Sequence, residues 1–489
     1  MAHTRPRQGS ARRTYGQGGH TCFIRHDSGL RRCLAAVCVA VLWSAWGIGG
    51  AQTPSSDSWL DPYRADVGRL MAAATADDFA WRRLAELTDT FGNRLSGSEN
   101  LTRAIAWAQA TMKADGLEHV RAERVMVPHW IRGRESAEIV DAPRRPLTIL
   151  GLGGTVATPA GGIEAPVLRV SSYDDLHARA SEARGRIVLF DVAYTTYAET
   201  VAYRTGGASV AAQHGAVAVL VRAVGPMGLR TPHTGSVTYQ AGRPKIPAVA
   251  VSGEDAGRLA RLAGGGQSVR VRLVTEGRYG PDAASANVIG EIRGRERPEE
   301  IVLVGGHLDS WDVGAGASDD GVGCIVTWEA LRLMTRLGLR PRRTVRVVLW
   351  TNEENGLNGA TAYARNHQAA AADHVLAIES DSGVFAPAAI GFSGSASARM
   401  VMAQIGSLLT PLGLSDIGPG GGGADIAPIA QAGNVPMMAY LGDAARYFVI
   451  HHTDADTVER IPAEDVSKAA AAIAAVTYVV AEMPQRLPR

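Results

Sequence analysis

Cysteine is scarce in this chain, and three of its four cysteines lie within the first 38 residues. Residues 1–51 combine seven arginines and one aspartate with the apolar run CLAAVCVAVLWSAWGIGG, which is typical of a signal peptide cut near Ala51. Its removal would leave Cys324 alone, so the mature chain could not form an internal disulfide. We therefore expect an exported protein, either secreted or periplasmic.

A second long apolar run is missing, and so is an excess of positive charge. No stretch after the leader offers the about 20 consecutive apolar residues that a membrane helix needs, so we expect no membrane span in the mature chain. Without the leader's seven arginines and one aspartate, the formal charge changes from +2 to near −4, with 43 basic and 47 acidic residues. This balance gives no support to nucleic-acid binding.

Two common hydrolase motifs, HExxH and GxSxG, are also absent. Their absence removes support for a zincin mechanism and for a serine nucleophile on an elbow between strand and helix. Gly418, Gly420 and Gly423 do fit GxGxxG, but proline and glycine interrupt the residues before them. A dinucleotide site needs a strand there, so this pattern does not indicate one.

At 489 residues the chain is longer than one ordinary domain, so we expect two domains after the leader. Residues 52–128 carry apolar residues at helical spacing and are predicted to be the N-terminal helical part of the main domain. Residues 129–279 change to short apolar strands and many glycines, which predicts an inserted β-rich domain that shapes access or specificity. Residues 280–489 alternate strands and helices, so we predict an α/β domain whose mostly parallel mixed sheet lies between helices.

Several potential metal ligands follow the predicted strands of residues 280–489. They are His307 and Asp309, Glu353 and Glu354, Asp381, His451 and His452, with Asp319 and Asp320 just before a helix. Parallel strands end at one edge of a sheet, so these side chains should meet there. Each has an ordinary structural explanation when taken alone, such as a helix cap or a solvated pair. Several carboxylates at one edge, however, would repel one another without a cation.

Zinc fits this set, because it binds histidine nitrogen and carboxylate oxygen and leaves a position open for water in catalytic sites. Two histidines and three carboxylates suffice for two zinc ions if one carboxylate bridges them. The adjacent Glu353 and Glu354 project in different directions where the strand ends. We predict that Glu354 is a ligand and that Glu353 is the general base beside a water shared by the metals.

The motifs GGHLDSWDVGAGASDDGVG, LWTNEENGLNGA, ESDSG and YFVIHHTDADT together resemble the co-catalytic dizinc exopeptidases, most closely the carboxypeptidase Q group. The similarity extends over most of the mature chain, and it implies the zinc exopeptidase fold. The ligands that it implies are His307 and Asp381 on one zinc, Glu354 and His452 on the other, and Asp319 between them. It further implies that Asp309 hydrogen-bonds a ligating histidine and that the Asp319-Asp320 peptide is cis.

The same resemblance extends to the inserted region, which looks like a protease-associated domain. Many relatives have tyrosine before the last ligand, whereas this chain has His451, which is therefore a candidate donor to the transition state. Asp425 follows the glycine run IGPGGGG and is a candidate for binding a substrate's free amino group, although it could equally be a helix cap. The resemblance also points to a homodimer.

These features predict a zinc exopeptidase that acts on dipeptides or short peptides, as a carboxypeptidase Q-like dipeptidase or carboxypeptidase. An aminopeptidase of the same family is the alternative, because the sequence does not fix which end of the peptide is read. A glutaminyl cyclase would be expected to bind a single zinc, and a non-catalytic binding relative would typically have lost ligands or the base. The complete set of five ligands and Glu353 argues against both.

Overall fold

The computed structural model describes residues 58–141, 143–265 and 268–489. The expected signal peptide, residues 1–51, lies outside this part of the chain and stays a prediction. No helix among the described residues is long and apolar enough to span a membrane.

The described residues contain helices and strands in alternation along most of their length. The α-helices are α1 (Asp61–Thr75), α2 (Phe79–Phe91), α3 (Glu99–Ala114), α4 (Tyr173–Ala178), α5 (Ala180–Ala183), α6 (Tyr197–Gln213), α7 (Gly253–Gly264), α8 (Val322–Arg336), α9 (Asn358–Asn366), α10 (Ala396–Gly406), α11 (Ala427–Gly433), α12 (Ala444–Ile450) and α13 (Ala463–Glu482). The strands are β1 (Glu118–Val127), β2 (Trp130–Ile131), β3 (Glu135–Ile139), β4 (Arg145–Leu147), β5 (Ile149–Gly151), β6 (Ile163–Val170), β7 (Ile187–Phe190), β8 (Ala218–Arg222), β9 (Ala248–Val251), β10 (Arg270–Thr275), β11 (Arg278–Tyr279), β12 (Ala283–Ile292), β13 (Arg297–His307), β14 (Arg343–Trp350), β15 (His374–Glu379), β16 (Ala389–Ser393), β17 (Ile417–Pro419) and β18 (Met437–Leu441).

The main sheet has eight strands in the order β1-β12-β14-β13-β15-β18-β16-β17. Its four central strands, β14, β13, β15 and β18, are parallel. Antiparallel strands flank them, with β12 and β1 on one side and β16 on the other. The prediction of a mixed sheet with a parallel centre is confirmed, and the carboxyl ends of the central strands lie at one edge.

Both faces of this sheet are buried under helices. Along β13, Val302 and Val304 join the apolar cluster that contains α1, α8 and α13, whereas Ile301 and Leu303 join the cluster that contains residues of α9 and α11. Successive strand residues point to opposite faces, so a continuous apolar run is expected where both faces are covered. Helices α1–α3 pack with the main sheet and its helices, and β1 is an edge strand of it.

A second eight-stranded sheet is built between residues 135 and 275, in the order β4-β3-β10-β6-β7-β8-β9-β5. Strands β6, β7, β8 and β9 are parallel, and the remaining pairings are antiparallel. The short strands β2 and β11 pair with each other where the chain enters and leaves this region. This sheet falls within residues 129–279, whose identity as an inserted protease-associated domain stays a prediction.

Candidate active site

The carboxyl-terminal edge of the parallel strands carries a dense group of histidines and carboxylates. Strand β13 ends at His307 itself, and Asp381 comes two residues after β15. Glu353 and Glu354 follow β14, while His452 lies in the turn after α12. The parallel topology places these segments side by side because the strands share one direction.

One half of the group surrounds His307, whose side chain is buried. Its Nε2 atom lies 3.2 Å from Asp319 Oδ1, 3.6 Å from Asp381 Oδ1 and 4.0 Å from Glu353 Oε2. The structure therefore brings together His307 and Asp381, which the family resemblance assigns to one zinc, and Asp319, the proposed bridge.

The other half surrounds His452. Its Nε2 atom lies 3.1 Å from Asp319 Oδ2 and 3.2 Å from Glu354 Oε2. Asp319 thus presents one carboxylate oxygen to each histidine. This is the placement that a bridging ligand requires.

The donor set and its burial fit zinc. Among the described residues, Asp319 Oδ2 and Glu354 Oε1 are buried without a hydrogen-bond partner, a costly state unless a cation binds there. Ligand atoms that sit about 2 Å from a tetrahedral ion are separated by roughly 3.3 Å, which agrees with the separations of 3.1 to 3.6 Å between histidine nitrogen and carboxylate oxygen. The described residues contain three overlapping groups able to hold a metal, and two of them include His307.

The pKa shifts of the site residues also favour a bound cation. Burial alone would lower the pKa of His452, but Glu354 and Asp319 raise that pKa to about 9. Burial, with the charge of Asp319, raises the pKa of Glu354 to about 7. The site without metal would therefore hold extra protons, and metal binding would release them.

Asp309 contacts the site through both its main-chain oxygen and its carboxylate. The prediction was a hydrogen bond from a ligating histidine, and His307 Nδ1 does make one, 2.8 Å long, to the main-chain oxygen of Asp309. The Asp309 carboxylate instead accepts the main-chain N–H groups of Glu353, at 3.1 Å, and Glu354, at 3.4 Å. Asp309 therefore orients both ends of the site from one position.

The cis peptide expected between Asp319 and Asp320 is present. Asp320 differs from Asp319 because both of its carboxylate oxygens accept main-chain N–H groups, although it lies in one of the three metal-holding groups with His307 and Asp381. Those donors are His307, at 3.0 Å, and Gly323, at 3.2 Å. Asp320 thus fixes the end of β13 to the start of α8.

Two supporting residues were missed by the sequence reasoning. Asp456 accepts the main-chain N–H groups of Ser318, at 2.6 Å, and Asp319, at 3.1 Å. Arg94 is fully buried and donates to main-chain oxygens on both sides of the site, those of Leu308, Gly92, Ala315 and Gly316. Both residues act on backbone, so no ligand spacing reveals them, although Asp456 lies in YFVIHHTDADT, one of the motifs that carry the family resemblance.

We expect Asp456→Asn to weaken zinc binding by about 10- to 100-fold, the range typical of residues that orient ligands. Asparagine keeps one acceptor oxygen but turns an NH₂ group toward a main-chain N–H, so the Asp319 segment would shift. Burial raises the pKa of Asp456 to about 7. The neutral amide of asparagine would not replace its two acceptor oxygens. The measurement is a zinc titration against a chelating dye, with the exposed neighbour Asp454→Asn as control. Equal zinc affinity in Asp456→Asn and the wild type would contradict this role.

The segment between β8 and β9 reaches into the site through residues 233–236. The Thr234 main-chain N–H donates to the His452 oxygen at 2.9 Å, and His452 Nδ1 lies 3.3 Å from the Thr234 oxygen. Ser236 Oγ donates to the Glu354 main-chain oxygen at 2.8 Å. With Nδ1 as the donor, Nε2 of His452 carries the lone pair that faces the carboxylates. The indole N–H of Trp311 donates to the same Nε2 atom at 3.2 Å.

A cleft of about 350 Å³ opens over the carboxylates and histidines. Helices and loops of both regions line it. Residues 129–279 contribute Tyr197, Arg204 and Ser236, and the main domain contributes Asp319, Glu353, Glu354, Asp381, Ser382, Tyr447, Phe448, His451 and His452. Tyr197, the first residue of α6, stacks on Phe448 of the main domain, with ring centroids 5.2 Å apart. The region for which we predicted an influence on access therefore forms part of the cleft wall.

The two candidate substrate-binding residues differ in their positions. His451 lines the cleft, lies 3.6 Å from Asp319 Oδ2 and stacks on the His452 ring at 3.6 Å. Burial lowers the pKa of His451 well below its usual value, so this imidazole is neutral and can donate one hydrogen bond. Asp425, in contrast, is fully buried and is not among the cleft-lining residues.

The expected contact between Asp425 and a substrate amine is therefore not what the geometry supports. Its main-chain N–H points to Glu379 Oε1 at 3.4 Å, and its two carboxylate oxygens have no hydrogen-bond partner among the described residues. Burial raises the pKa of Asp425 well above its usual value. The helix-cap alternative also fails, because α11 begins at Ala427 without a side-chain cap.

Comparison with known proteins agrees with this site. The family model for peptidase family M28 matches residues 287–477. Carboxypeptidase Q from Homo sapiens is 46% identical over 420 residues, which cover 86% of this chain and 89% of the human protein. The crystal structure of a peptidase M28 precursor from Shewanella amazonensis SB2B superimposes with a TM-score of 0.85 at 33% identity, covering 89% of this chain and 99% of that one.

A zinc aminopeptidase from Bacillus subtilis shares the fold with a TM-score of 0.63 at 20% identity, over 83% of this chain and 96% of that one. The resemblance seen in the sequence motifs is thus confirmed over most of the chain, together with the expected fold class. The chain belongs to peptidase family M28.

Proposed function

We propose that this protein is a zinc-dependent exopeptidase that hydrolyses dipeptides or short peptides in the manner of a carboxypeptidase Q. The observation that carries the proposal is the position of Asp319, with one oxygen 3.2 Å from His307 and the other 3.1 Å from His452. We further propose two zinc ions per chain. His307 and Asp381 would hold one, Glu354 and His452 the other, and Asp319 both.

Zinc held by these residues would supply a Lewis acid for the peptide carbonyl and would lower the pKa of a water molecule. Glu353 lies beside the ligands, and burial, with the charges of Asp381 and Glu354, raises its pKa well above the usual value. A carboxylate with a raised pKa is a better proton acceptor near neutral pH. We assign Glu353 to accept the proton of the attacking water and to return it to the leaving amine.

His451 is proposed as a hydrogen-bond donor to the oxygen of the reacting carbonyl. The orientation of its ring is fixed by stacking on His452, and its main-chain oxygen accepts from His233 Nδ1 at 2.7 Å. Since Nδ1 of His451 has no partner among the described residues, and Nε2 lies toward Asp319, one nitrogen remains for a substrate. A donor held in place before the reaction does not have to reorganise during it.

The proposal extends to the setting of the enzyme. The leader-like residues 1–51 support export, to the periplasm or the medium, and the resemblance to the carboxypeptidase Q group supports a homodimer. The amount of zinc, the leader and the oligomeric state are open to direct measurement by metal analysis, by sequencing the mature N-terminus and by light scattering.

The test uses purified protein supplied with zinc and one dipeptide in three forms, which are free, blocked at the amino end and blocked at the carboxyl end. We expect hydrolysis of the free dipeptide and metal analysis that gives two zinc ions per chain. Cleavage of the amino-blocked form alone would define a carboxypeptidase, and cleavage of the carboxyl-blocked form alone an aminopeptidase. A protein that binds zinc but cuts none of the three forms would contradict the proposal.

A further inference from the structure

A buried arginine from a helix of residues 129–279 lines the cleft. Arg204 lies on α6 and is 4% exposed, yet it borders the same cavity as the zinc-binding carboxylates. Its Nη2 atom donates to Tyr197 Oη at 2.6 Å, and its Nη1 atom donates to the Thr234 main-chain oxygen at 3.2 Å. The guanidinium therefore lies where residues 129–279 meet the main domain, beside the Thr234 oxygen that also contacts His452.

The charge of Arg204 is not balanced within the described residues. Arginine has five N–H donors, and only two oxygens accept from this one. Its Nε atom is buried without a partner, and no carboxylate of the described residues lies within 4.0 Å of the guanidinium. The contact of 3.4 Å with His452 Nδ1 does not add an acceptor, because Nδ1 carries the proton when Nε2 binds metal.

The other deeply buried arginines of the described residues are satisfied differently. Arg343 pairs with Glu300 at 2.5 Å, Arg346 with Glu291 at 2.8 Å and Arg332 with Glu329 at 2.6 Å. Arg94 donates to four main-chain oxygens. A buried cation without a counter-charge is costly, so one that borders a binding cleft is expected to receive its anion from the ligand.

The place of Arg204 relative to the metal ligands fixes which anion that is. Only the His452 ring separates the guanidinium from Asp319, because Nδ1 lies 3.4 Å from Arg204 Nη1 and Nε2 lies 3.1 Å from Asp319 Oδ2. In a dipeptide the free carboxylate carbon lies within about 4 Å of the carbonyl carbon that reacts. Arg204 and the proposed metal position lie on opposite sides of one imidazole ring, so a dipeptide could place its carboxylate at the guanidinium and its reacting carbonyl at the metal.

We propose that Arg204 binds the free α-carboxylate of the peptide and so makes this enzyme read the carboxyl end of dipeptides. Arginine suits this task because its fork of N–H groups matches a carboxylate. The Tyr197 hydroxyl accepts from Arg204 and keeps its own proton to donate to the same carboxylate. Gly235 leaves room for the guanidinium, since a Cβ atom there would collide with it. This inference rests on the proposed peptidase activity.

A purely structural role for Arg204 must be separated from recognition. The residue shares the Thr234 oxygen with His452, so its loss could also disturb a metal ligand. Such a disturbance would slow every substrate alike. Recognition of a carboxylate instead changes the preference between a substrate that has this group and one that lacks it.

The experiment compares kcat/KM for a dipeptide and for its carboxyl-terminal amide, with the zinc content of each preparation measured. We expect the wild type to prefer the free dipeptide by at least about 10-fold, the effect of one hydrogen-bonded charge. Arg204→Gln should bring this ratio close to one, and Arg204→Lys should retain an intermediate ratio because it keeps the charge. Arg179→Gln is the matched control, because Arg179 belongs to the same region and pairs with Glu182 at the surface. Its ratio should equal that of the wild type.

Two results would overturn the inference while leaving the peptidase proposal intact. One is a wild type that hydrolyses the amide as well as the free dipeptide. The other is an Arg204→Gln variant that binds zinc and loses activity on both substrates in equal proportion. A wild type that hydrolyses neither substrate would overturn the peptidase proposal itself. Arg204→Lys keeps the charge, so its ratio tests the inference if Arg204→Gln folds poorly, and a ratio equal to that of the wild type would contradict the role of the guanidinium fork.

Discussion

The Glu353→Gln variant is expected to lose about 10²- to 10⁴-fold in kcat, the contribution typical of a general base, while it retains the zinc content of the wild type. Glutamine has nearly the same shape as glutamate but accepts no proton from water. Glu354 and the other proposed ligands are untouched. The measurements are steady-state hydrolysis of the free dipeptide and metal analysis of the same sample.

The structure gives a reason to expect this separation of activity from metal binding. The Glu353 carboxylate is 21% exposed on the cleft side and stays 4.0 Å from His307 Nε2, farther than Asp319 at 3.2 Å. Its position is set by its main-chain N–H, which donates to Asp309 Oδ1 at 3.1 Å and is present in any variant. The substitution should therefore remove a proton acceptor without moving the backbone.

Glu299→Gln is the matched control, because Glu299 is exposed near the start of β13, the strand whose other end is His307. It should keep full activity. Turnover of Glu353→Gln within about threefold of the wild type would refute the assignment of the base. Loss of zinc from that variant would instead indicate that Glu353 is a ligand.

The central sheet could be predicted from the sequence because its strands are apolar on both faces. The runs IVLVGGH and TVRVVLW became β13 and β14, and both are buried between two apolar clusters. The candidate ligands could be predicted for the same reason. Once the strands are parallel, the residues after them must share an edge.

The contribution of the second sheet could not be predicted in this way. Arg204 and His452 are separated by 248 positions, one on α6 and the other in the turn after α12, and no periodicity relates them. Thr234 acts through its main-chain oxygen, which any residue type could supply. Such contacts depend on how two sheets pack, which local patterns do not encode.

Asp425 shows the opposite limit. Asp425 follows a glycine run and is a sequence-based candidate for binding a substrate's free amino group, but its side chain is fully buried. Gly423 packs so closely on the Glu379 carboxylate that a Cβ atom would collide with it. The glycines in this segment therefore permit close packing at that position, and composition alone does not separate this use from a flexible pocket wall.

Asp319→Asn is expected to lose zinc and activity together, with kcat/KM at least about 1,000-fold below the wild type, because removing the proposed bridge affects both metal positions. Asparagine offers one oxygen acceptor and an NH₂ group that only donates, so it cannot serve both histidine-facing positions. The two Asp319 oxygens face His307 at 3.2 Å and His452 at 3.1 Å. Metal analysis after dialysis against a weak chelator measures the loss directly.

Asp381→Asn provides the sharpest comparison, because Asp381 lies within 4.0 Å of His307 but not of His452, with 3.6 Å between the facing atoms. This variant should lose one zinc ion per chain, whereas Asp319→Asn should lose both or bind both weakly. Asp454→Asn, on the exposed side of the loop that carries His452, should keep both. If Asp319→Asn and Asp381→Asn lose the same single ion, Asp319 is an ordinary ligand of one metal. The shared-ligand arrangement, and the mechanism built on it, would then have to be abandoned.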